Sequence, residues 1–194
     1  DLTLTIDHKL QQKARSLMKN YRGALVAMNP KTGEILAMVS MPDFNPNSEA
    51  LEKNWSELNT DDNSPFLTRA TMGLYPPGST FKMVTAIAGL EEGVVTPKTI
   101  IKDSGRYTYY NKNGPMCWIF RQYGGVHGDQ NVTSAIKNSC NIYFYTIGDT
   151  IGINPLQEVA ESFGVGKYTG SEVPEDPGTI IQERFEEGHD PDRF

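Results

Sequence analysis

Ser79 and Lys82 form the pair of residues in this sequence that could do chemistry most directly. They lie in the stretch Tyr-Pro-Pro-Gly-Ser-Thr-Phe-Lys, residues 75–82, and apolar residues at helical spacing follow. This pattern predicts a helix that begins at Ser79, where the Lys82 amine shares a face with the Ser79 hydroxyl. A serine beside a lysine whose pKa is lowered by burial is a nucleophile with its base, the pair that acyl transfer requires.

A bare Ser-x-x-Lys match has a structural alternative, because serine is a preferred helix cap and lysine a common solvated helix residue. The setting favours the chemical interpretation. Pro76, Pro77 and Gly78 fix the entry to the helix, and the apolar run after Lys82 predicts that the helix is buried.

A second polar group interrupts the segment 131–151, which otherwise has the pattern of apolar helices. The interruption is Lys-Asn-Ser-Cys-Asn, residues 137–141, and it predicts a break between two helices. Such a break can project Ser139 and Asn141 into a cleft.

Composition excludes several classes of function. The chain of 194 residues has a formal net charge of -6 and no basic run, which argues against nucleic-acid binding. It contains no stretch of membrane-spanning length and nothing at its start that resembles a signal peptide, so an anchor would lie outside this chain.

The only cysteines, Cys117 and Cys140, could pair, but they lack metal or redox spacing and are expected to be free thiols. No cofactor and no metal site are predicted.

The first 41 residues predict elements that belong to a sheet with a covering helix. Alternating residues 1–6 indicate a short strand, and Asp7 is expected to cap a helix that ends near Asn20. Residues 23–41 predict a β-hairpin whose arms, apolar on both faces, should be central strands covered on each side. Its turn is residues 29–33.

The remaining segments are mainly helical or irregular. Residues 42–64 predict a long surface connection with a short helix around 48–58. Arg69 has two interpretations, a site residue and a structural ion pair, of which the ion pair is expected. Residues 94–108 predict one or two short strands, and a further helix should begin at Asn154 and end at Gly164. Beyond Gly170 the chain becomes acidic and loses periodicity.

Residues 107–127 are rich in aromatic residues and glycine. Two interpretations stay open for the aromatic side chains, a groove for an extended ligand and packing beneath a long loop, of which packing is expected. His127 lies in Gly-Gly-Val-His-Gly with no carboxylate partner evident in the sequence, so a structural hydrogen bond is expected for it. The aromatic residues are Tyr107, Tyr109, Tyr110, Trp118, Phe120 and Tyr123.

The motif of residues 75–82, followed some sixty positions later by Ser139-Cys140-Asn141, closely resembles the penicillin-binding proteins, specifically the class B (monofunctional) transpeptidase domain. The similarity extends from Leu2 through the hairpin to about Gly178. It implies an α/β fold of the α+β type, like that of serine β-lactamases and penicillin-binding transpeptidases, with an antiparallel sheet, flanking helices and a helical subdomain.

The resemblance also implies a function, peptidoglycan D,D-transpeptidation through a serine acyl-enzyme that β-lactams would acylate. Ser79 would attack the penultimate D-Ala carbonyl of a stem peptide, and Lys82 would take its proton. Ser139 would relay that proton towards the leaving D-Ala, while Asn141 would hold the substrate amide and Lys82 in place. The implied partners are stem peptides, β-lactams and membrane-bound wall-synthesis proteins at the extracytoplasmic face of the bacterial membrane.

One departure from the family pattern is the third motif, Lys-Ser/Thr-Gly, which should follow Ser-x-Asn. Lys31-Thr32-Gly33 precedes the nucleophile in a turn, and residues 167–170 contain an extra residue, so neither is assigned the role. Too few strands are predicted to flank the hairpin. The chain, residues 1–194, is therefore expected to be the N-terminal part of one transpeptidase domain (1–41, 42–170 and an acidic tail 171–194), incomplete at its C-terminus.

Three alternatives remain on the sequence alone: a D,D-carboxypeptidase, a class D-like β-lactamase and a non-catalytic β-lactam sensor or scaffold. Asn141 argues against the β-lactamase, since class D enzymes resemble Ser-x-Val at this point. The intact set of Ser79, Lys82, Ser139 and Asn141 argues against the scaffold.

Overall fold

The structure of the protein is a computed structural model that describes residues 3–180. Contacts divide the chain into two compact units. Of the described residues, the first contains 3–75 and Gly170–Asp176, and the second contains Pro76–Thr169 and 177–180.

The first unit contains a helix packed on a β-hairpin. Helix α1 (His8–Met18) begins at Asp7, whose carboxylate accepts a hydrogen bond from the Leu10 N–H, as the sequence predicted. Strands β1 (Gly23–Met28) and β2 (Ile35–Met41) pair antiparallel, with Val26 opposite Met38. Helices α2 (Ser48–Thr60) and α3 (Arg69–Met72) complete the unit. Its small core consists of Ala14, Ala37, Val39 and Met41.

The hairpin is confirmed, but the prediction that both arms are covered on each side is wrong for the described residues. Strand β1 alternates between half-buried and exposed positions, and Val26 and Met28 are 46% and 54% exposed. Only one face of the hairpin contributes to the core with α1, so the opposite side chains of β1 face solvent.

Two further predictions in this unit are wrong. Residues 3–7 form no strand: Asp7 N–H makes one backbone hydrogen bond, to Leu36 C=O at 2.9 Å, and Leu4 is 65% exposed. Residues 1 and 2 lie outside the described range. Arg69 is buried, but within the described residues its guanidinium donates to the backbone carbonyls of Asn63 and Ser64 and makes no ion pair with a carboxylate.

The second unit is largely helical and carries the larger core. Its helices are α4 (Lys82–Glu91), α5 (Trp118–Tyr123), α6 (Val132–Lys137), α7 (Asn141–Ile151) and α8 (Ile153–Ser162). Strands β3 (Ile101–Asp103) and β4 (Gly128–Gln130) form a short antiparallel pair. Tyr143 and Ile147 of α7 are fully buried at the centre of the core.

Close packing of α4 on α7 depends on Gly89. A β-carbon at this position would lie 2.6 Å from Cγ2 of Ile147, so a larger residue would push the two helices apart. Glycine thus sets the distance between the helix that follows Ser79 and the helix that begins at Asn141.

Most sequence predictions for the second unit are confirmed. The structure contains the break between α6 and α7, a short strand within residues 94–108 and the helix α8 that ends before Gly164. Residues 171–180 contain no helix or strand, and the rest of the acidic segment, 181–194, lies outside the described residues. Among the described residues, no helix is both long and apolar enough to cross a membrane.

Candidate active site

Ser79 lies in a short 3₁₀ turn, Gly78–Phe81, that leads directly into α4. The turn is made possible by Gly78, which has a φ of +57°, a conformation that favours glycine. Ser79 is exposed to solvent, as a nucleophile must be if a substrate is to reach it. The predicted helix start at Ser79 is therefore confirmed to within one turn.

Ser139 is placed by the way α6 ends. Its N–H donates to Ile136 C=O at 3.1 Å, and the Cys140 N–H donates to Ala135 C=O at 2.9 Å, the two bonds of a Schellman motif. Ser139 has a φ of +48°, the left-handed conformation that this motif normally gives to glycine. A serine here costs about 1–2 kcal/mol, and such strain concentrates at functional sites.

Asn141 is the first residue of α7, directly after the N-cap Cys140. Its side-chain amide donates to Met116 C=O at 3.3 Å, which leaves its oxygen to accept from another group. Its backbone N–H donates to Cys117 Sγ at 3.3 Å.

Lys82 connects the two ends of the site. Its Nζ donates to Ser139 C=O at 2.8 Å, to Ser139 Oγ at 3.0 Å and to Asn141 Oδ1 at 2.7 Å. Burial disfavours the charged ammonium and lowers the Lys82 pKa below its ordinary value, although Cys117 and Cys140 act in the opposite direction. Nζ also lies over the Phe144 ring, 5.7 Å from the ring centroid, within the range of a cation–π interaction.

Ser79 joins this network through Ser139, whose hydroxyl donates to Ser79 Oγ at 3.0 Å. The sequence predicted that Lys82 would lie directly beside Ser79. Among the described residues the hydrogen bonds instead run from Lys82 to Ser139 and from Ser139 to Ser79. All four predicted residues thus meet in one place, and the chain of hydroxyls can carry a proton between the nucleophile and the amine.

Residues 23–188 match the family model described as the penicillin binding protein transpeptidase domain. The chain belongs to this family. It is 40% identical over 178 residues to the peptidoglycan D,D-transpeptidase MrdA of Acinetobacter baumannii. The aligned region covers 90% of this chain and 26% of that protein. The chain thus spans about a quarter of the length of this curated relative.

Solved penicillin-binding proteins have the same fold. The structure of PBP2 from Pseudomonas aeruginosa in complex with WCK 5153 has a TM-score of 0.75 at 38% identity and covers 86% of this chain and 38% of that one. PBP2 from Helicobacter pylori in complex with MreC has a TM-score of 0.77 at 33% identity, over 85% of this chain and 31% of that one. The class B resemblance and the β-lactamase-like α/β fold predicted from the motifs are confirmed.

Behind the Ser-x-Asn segment of this transpeptidase-family chain lies a second polar cluster that sequence reasoning missed. Asp103, Cys117, His127 and Cys140 bring one oxygen, one nitrogen and two sulfur atoms within 4.8 Å of one another. His127 makes a buried hydrogen bond, as the sequence predicted, but its partner is a carboxylate that the sequence did not reveal: Nδ1 lies 2.6 Å from Asp103 Oδ2.

The cluster holds a buried carboxylate in its charged form. Burial alone would raise the Asp103 pKa, but hydrogen bonds from Cys117, Gly105, His127 and Cys140 outweigh it and keep the pKa below its ordinary value. Burial raises the pKa of the Cys140 thiol to about 12. The cluster is therefore a set of hydrogen-bonding groups around one buried carboxylate.

The same four side chains could hold a divalent metal ion. Two cysteines, a histidine and an aspartate are the ligands that Zn²⁺ takes in tetrahedral sites. No metal site was expected, because the four residues are spread over 38 positions without a local ligand motif. The available signal was two cysteines and a histidine near the Ser-x-Asn motif, which only the fold brings together.

The aromatic stretch divides between the two interpretations. Phe120 packs against the core, as expected for residues beneath a loop. Tyr109, Tyr110 and Tyr123 are each 72–74% exposed, so that interpretation is wrong for them. Tyr107 and Tyr110 donate to the Asp149 carboxylate, and burial together with this bond raises the Tyr107 pKa to about 12.

Proposed function

We propose that the full-length protein is a peptidoglycan D,D-transpeptidase that acts through an acyl-enzyme on Ser79. The observation that carries this proposal is the continuous network from Ser79 through Ser139 to Lys82 and Asn141. It provides a nucleophile, a proton path, a base with a lowered pKa and an amide for the substrate.

The first step is acylation. The Ser79 oxygen attacks the penultimate D-Ala carbonyl, its proton passes by way of Ser139 Oγ to neutral Lys82, and the Ser79 N–H at the helix start favours the oxyanion. The Lys82 ammonium then returns a proton through Ser139 to the leaving D-Ala amine. The amine of a neighbouring stem peptide attacks the ester, frees Ser79 and forms the cross-link.

We also propose that residues 1–194 are the N-terminal part of one transpeptidase domain. The strand with Lys-Ser/Thr-Gly, and the oxyanion donor that it carries in the family, would lie in a segment that follows this chain. The partners would be wall-synthesis proteins at the extracytoplasmic face of the membrane, a proposal supported by the PBP2 structure in complex with MreC.

Labelling with a fluorescent penicillin tests the proposal in the full-length protein. We expect a stable covalent adduct whose mass corresponds to the intact drug, attached at Ser79. Ser79→Ala should abolish the adduct, whereas Ser104→Ala, which changes an exposed serine of the same unit, should not.

The outcome also separates the alternatives. An unlabelled wild-type protein would support a non-catalytic scaffold, and rapid turnover of penicillin would support a β-lactamase. A D,D-carboxypeptidase would form the adduct but release free tetrapeptide from a pentapeptide donor even with an acceptor amine in excess. Formation of the cross-linked dimer under those conditions is the result that the transpeptidase requires.

A further inference from the structure

Hydrogen bonds fix the conformation of Ser139. They hold the two peptide groups that flank this residue, each at its C=O and at its N–H. On its C-terminal side, Ser139 C=O accepts from Lys82, and the Cys140 N–H donates to Ala135 C=O. On its N-terminal side, the Ser139 N–H donates to Ile136 C=O at 3.1 Å, and the other end of that plane is the carbonyl of Asn138. Because a peptide is planar, fixing that carbonyl fixes the orientation of the Ser139 N–H.

The Asn138 carbonyl is bound by Trp118. Its indole Nε1–H donates to Asn138 C=O at 2.9 Å. This carbonyl lies at the C-terminal end of α6, where a helix leaves its last carbonyls without partners from its own backbone. The indole therefore caps α6 at the residue before Ser139.

The side chain of Asn138 is also hydrogen-bonded. Its Nδ2 donates to Gln130 Oε1 at 2.9 Å, and Gln130, 5% exposed, is anchored by donating to the carbonyls of His127 and Asp129. We call Trp118, Gln130 and Asn138 the Asn138 clasp. It holds a strained turn, since a left-handed serine persists only where its surroundings enforce it.

We propose that Trp118 is a positioning residue that, through its indole N–H, holds Ser139 in the left-handed conformation needed for acyl transfer. Ser139 Oγ must stay within hydrogen-bond distance of both Ser79 and Lys82, and rotation of the plane between residues 138 and 139 moves it. The role rests on the proposed function, because it concerns the proton path of that reaction. In this role Trp118 acts through Asn138 on Ser139 and does not contact the substrate.

The test removes the indole N–H in two variants, one of which keeps a fused ring of the same shape. In the full-length protein, Trp118 is exchanged for 3-benzothienylalanine, which has a sulfur in place of the N–H, and in a second variant for phenylalanine. Rapid mixing with a penicillin gives the dissociation constant of the initial complex and the acylation rate constant separately. Trp55→Phe is the matched control, since Trp55 lies in α2 of the other unit.

We expect the acylation rate constant to fall about five- to tenfold in both Trp118 variants, the effect of losing one hydrogen bond. The dissociation constant should remain that of the wild type, the melting temperature should fall only slightly because α6 loses one capping hydrogen bond, and the control should not change. A benzothienylalanine variant that acylates at the wild-type rate would overturn the proposal. So would a raised dissociation constant with an unchanged acylation rate, since that pattern means that Trp118 contacts the β-lactam.

Failure of this inference is distinct from failure of the proposed function. If the wild-type protein forms no adduct at Ser79, the transpeptidase proposal fails and the role of Trp118 fails with it. If the wild type is acylated and loss of the indole N–H has no effect, only the role of Trp118 is wrong.

Discussion

Ser139 is the residue at which the chemistry and the backbone of this site make opposite demands. The Schellman motif favours glycine because of the φ of +48°, whereas the hydrogen bonds to Ser79 and Lys82 require a hydroxyl. The protein therefore keeps a strained residue whose side chain links Ser79 to Lys82.

This conflict predicts a difference between two variants that both lack the hydroxyl. Ser139→Gly should have a higher free energy of unfolding than Ser139→Ala, by about 1–2 kcal/mol, because glycine has no β-carbon to strain the left-handed backbone. Chemical denaturation of the full-length protein measures the difference. Equal free energies of unfolding for the two variants would show that Ser139 is not strained, and both should be acylated more slowly than the wild type.

Lys82 predicts the pH dependence of acylation. In the proposed mechanism the neutral amine is the base, so the rate should rise as pH rises through the Lys82 pKa. Since burial lowers that pKa, the midpoint should lie below the ordinary lysine value of 10.5. Acylation by penicillin over a pH series gives the midpoint, with circular dichroism at each pH to show that the protein remains folded.

Lys82→Arg is the control for this prediction. A guanidinium remains protonated throughout the range, so the variant should lose acylation without gaining a new midpoint at high pH. A wild-type midpoint at or above 10.5 would contradict the role of Lys82 as a base with a lowered pKa.

The elements around the Ser-x-Asn segment meet at the cluster of Asp103, Cys117, His127 and Cys140. Asp103 ends β3, and Cys117 and Cys140 are the N-caps of α5 and α7. A ligand that binds all four side chains would therefore tie a strand and two helix starts together behind the active site.

If the cluster binds zinc, metal should raise the melting temperature of the full-length protein, because a ligand of the folded state alone stabilises it. We expect about one equivalent of Zn²⁺ in protein purified without chelator, and a lower melting temperature after chelation. Cys140→Ser, which removes one thiolate ligand, should reduce this response. A melting temperature that is the same with and without Zn²⁺ would contradict the prediction.

The sequence singled out the four residues that meet in the candidate site, and most helices, because each depends on local signals. Ser79 and Lys82 share one helical turn, and Ser139 and Asn141 lie in a polar interruption between apolar segments. It could not predict the left-handed turn at Ser139, where glycine is missing. Nor could it predict the Asp103–His127 pair, whose partners lie 24 residues apart and meet only through tertiary packing.

At the scale of the molecule, the first unit carries the hairpin and the second carries all four residues of the candidate site. If, as we propose, a strand with the third motif lies in a segment that follows this chain and supplies one oxyanion donor, acylation should be about 10²–10³ times slower in the chain 1–194 than in the full-length protein. Parallel labelling of both with the same penicillin checks this, and equal rates would mean that the chain contains a complete oxyanion site.

The half-exposed hairpin has a consequence for the handling of that shorter chain in the test tube. Strand β1 presents Val26 and Met28 to solvent and, among the described residues, pairs with β2 alone. Apolar edge strands with free backbone groups template contacts between copies and promote aggregation. The chain 1–194 by itself should accordingly aggregate more as its concentration rises. Substitution of Val26 by lysine should increase the soluble yield and leave the candidate site around Ser79 unchanged.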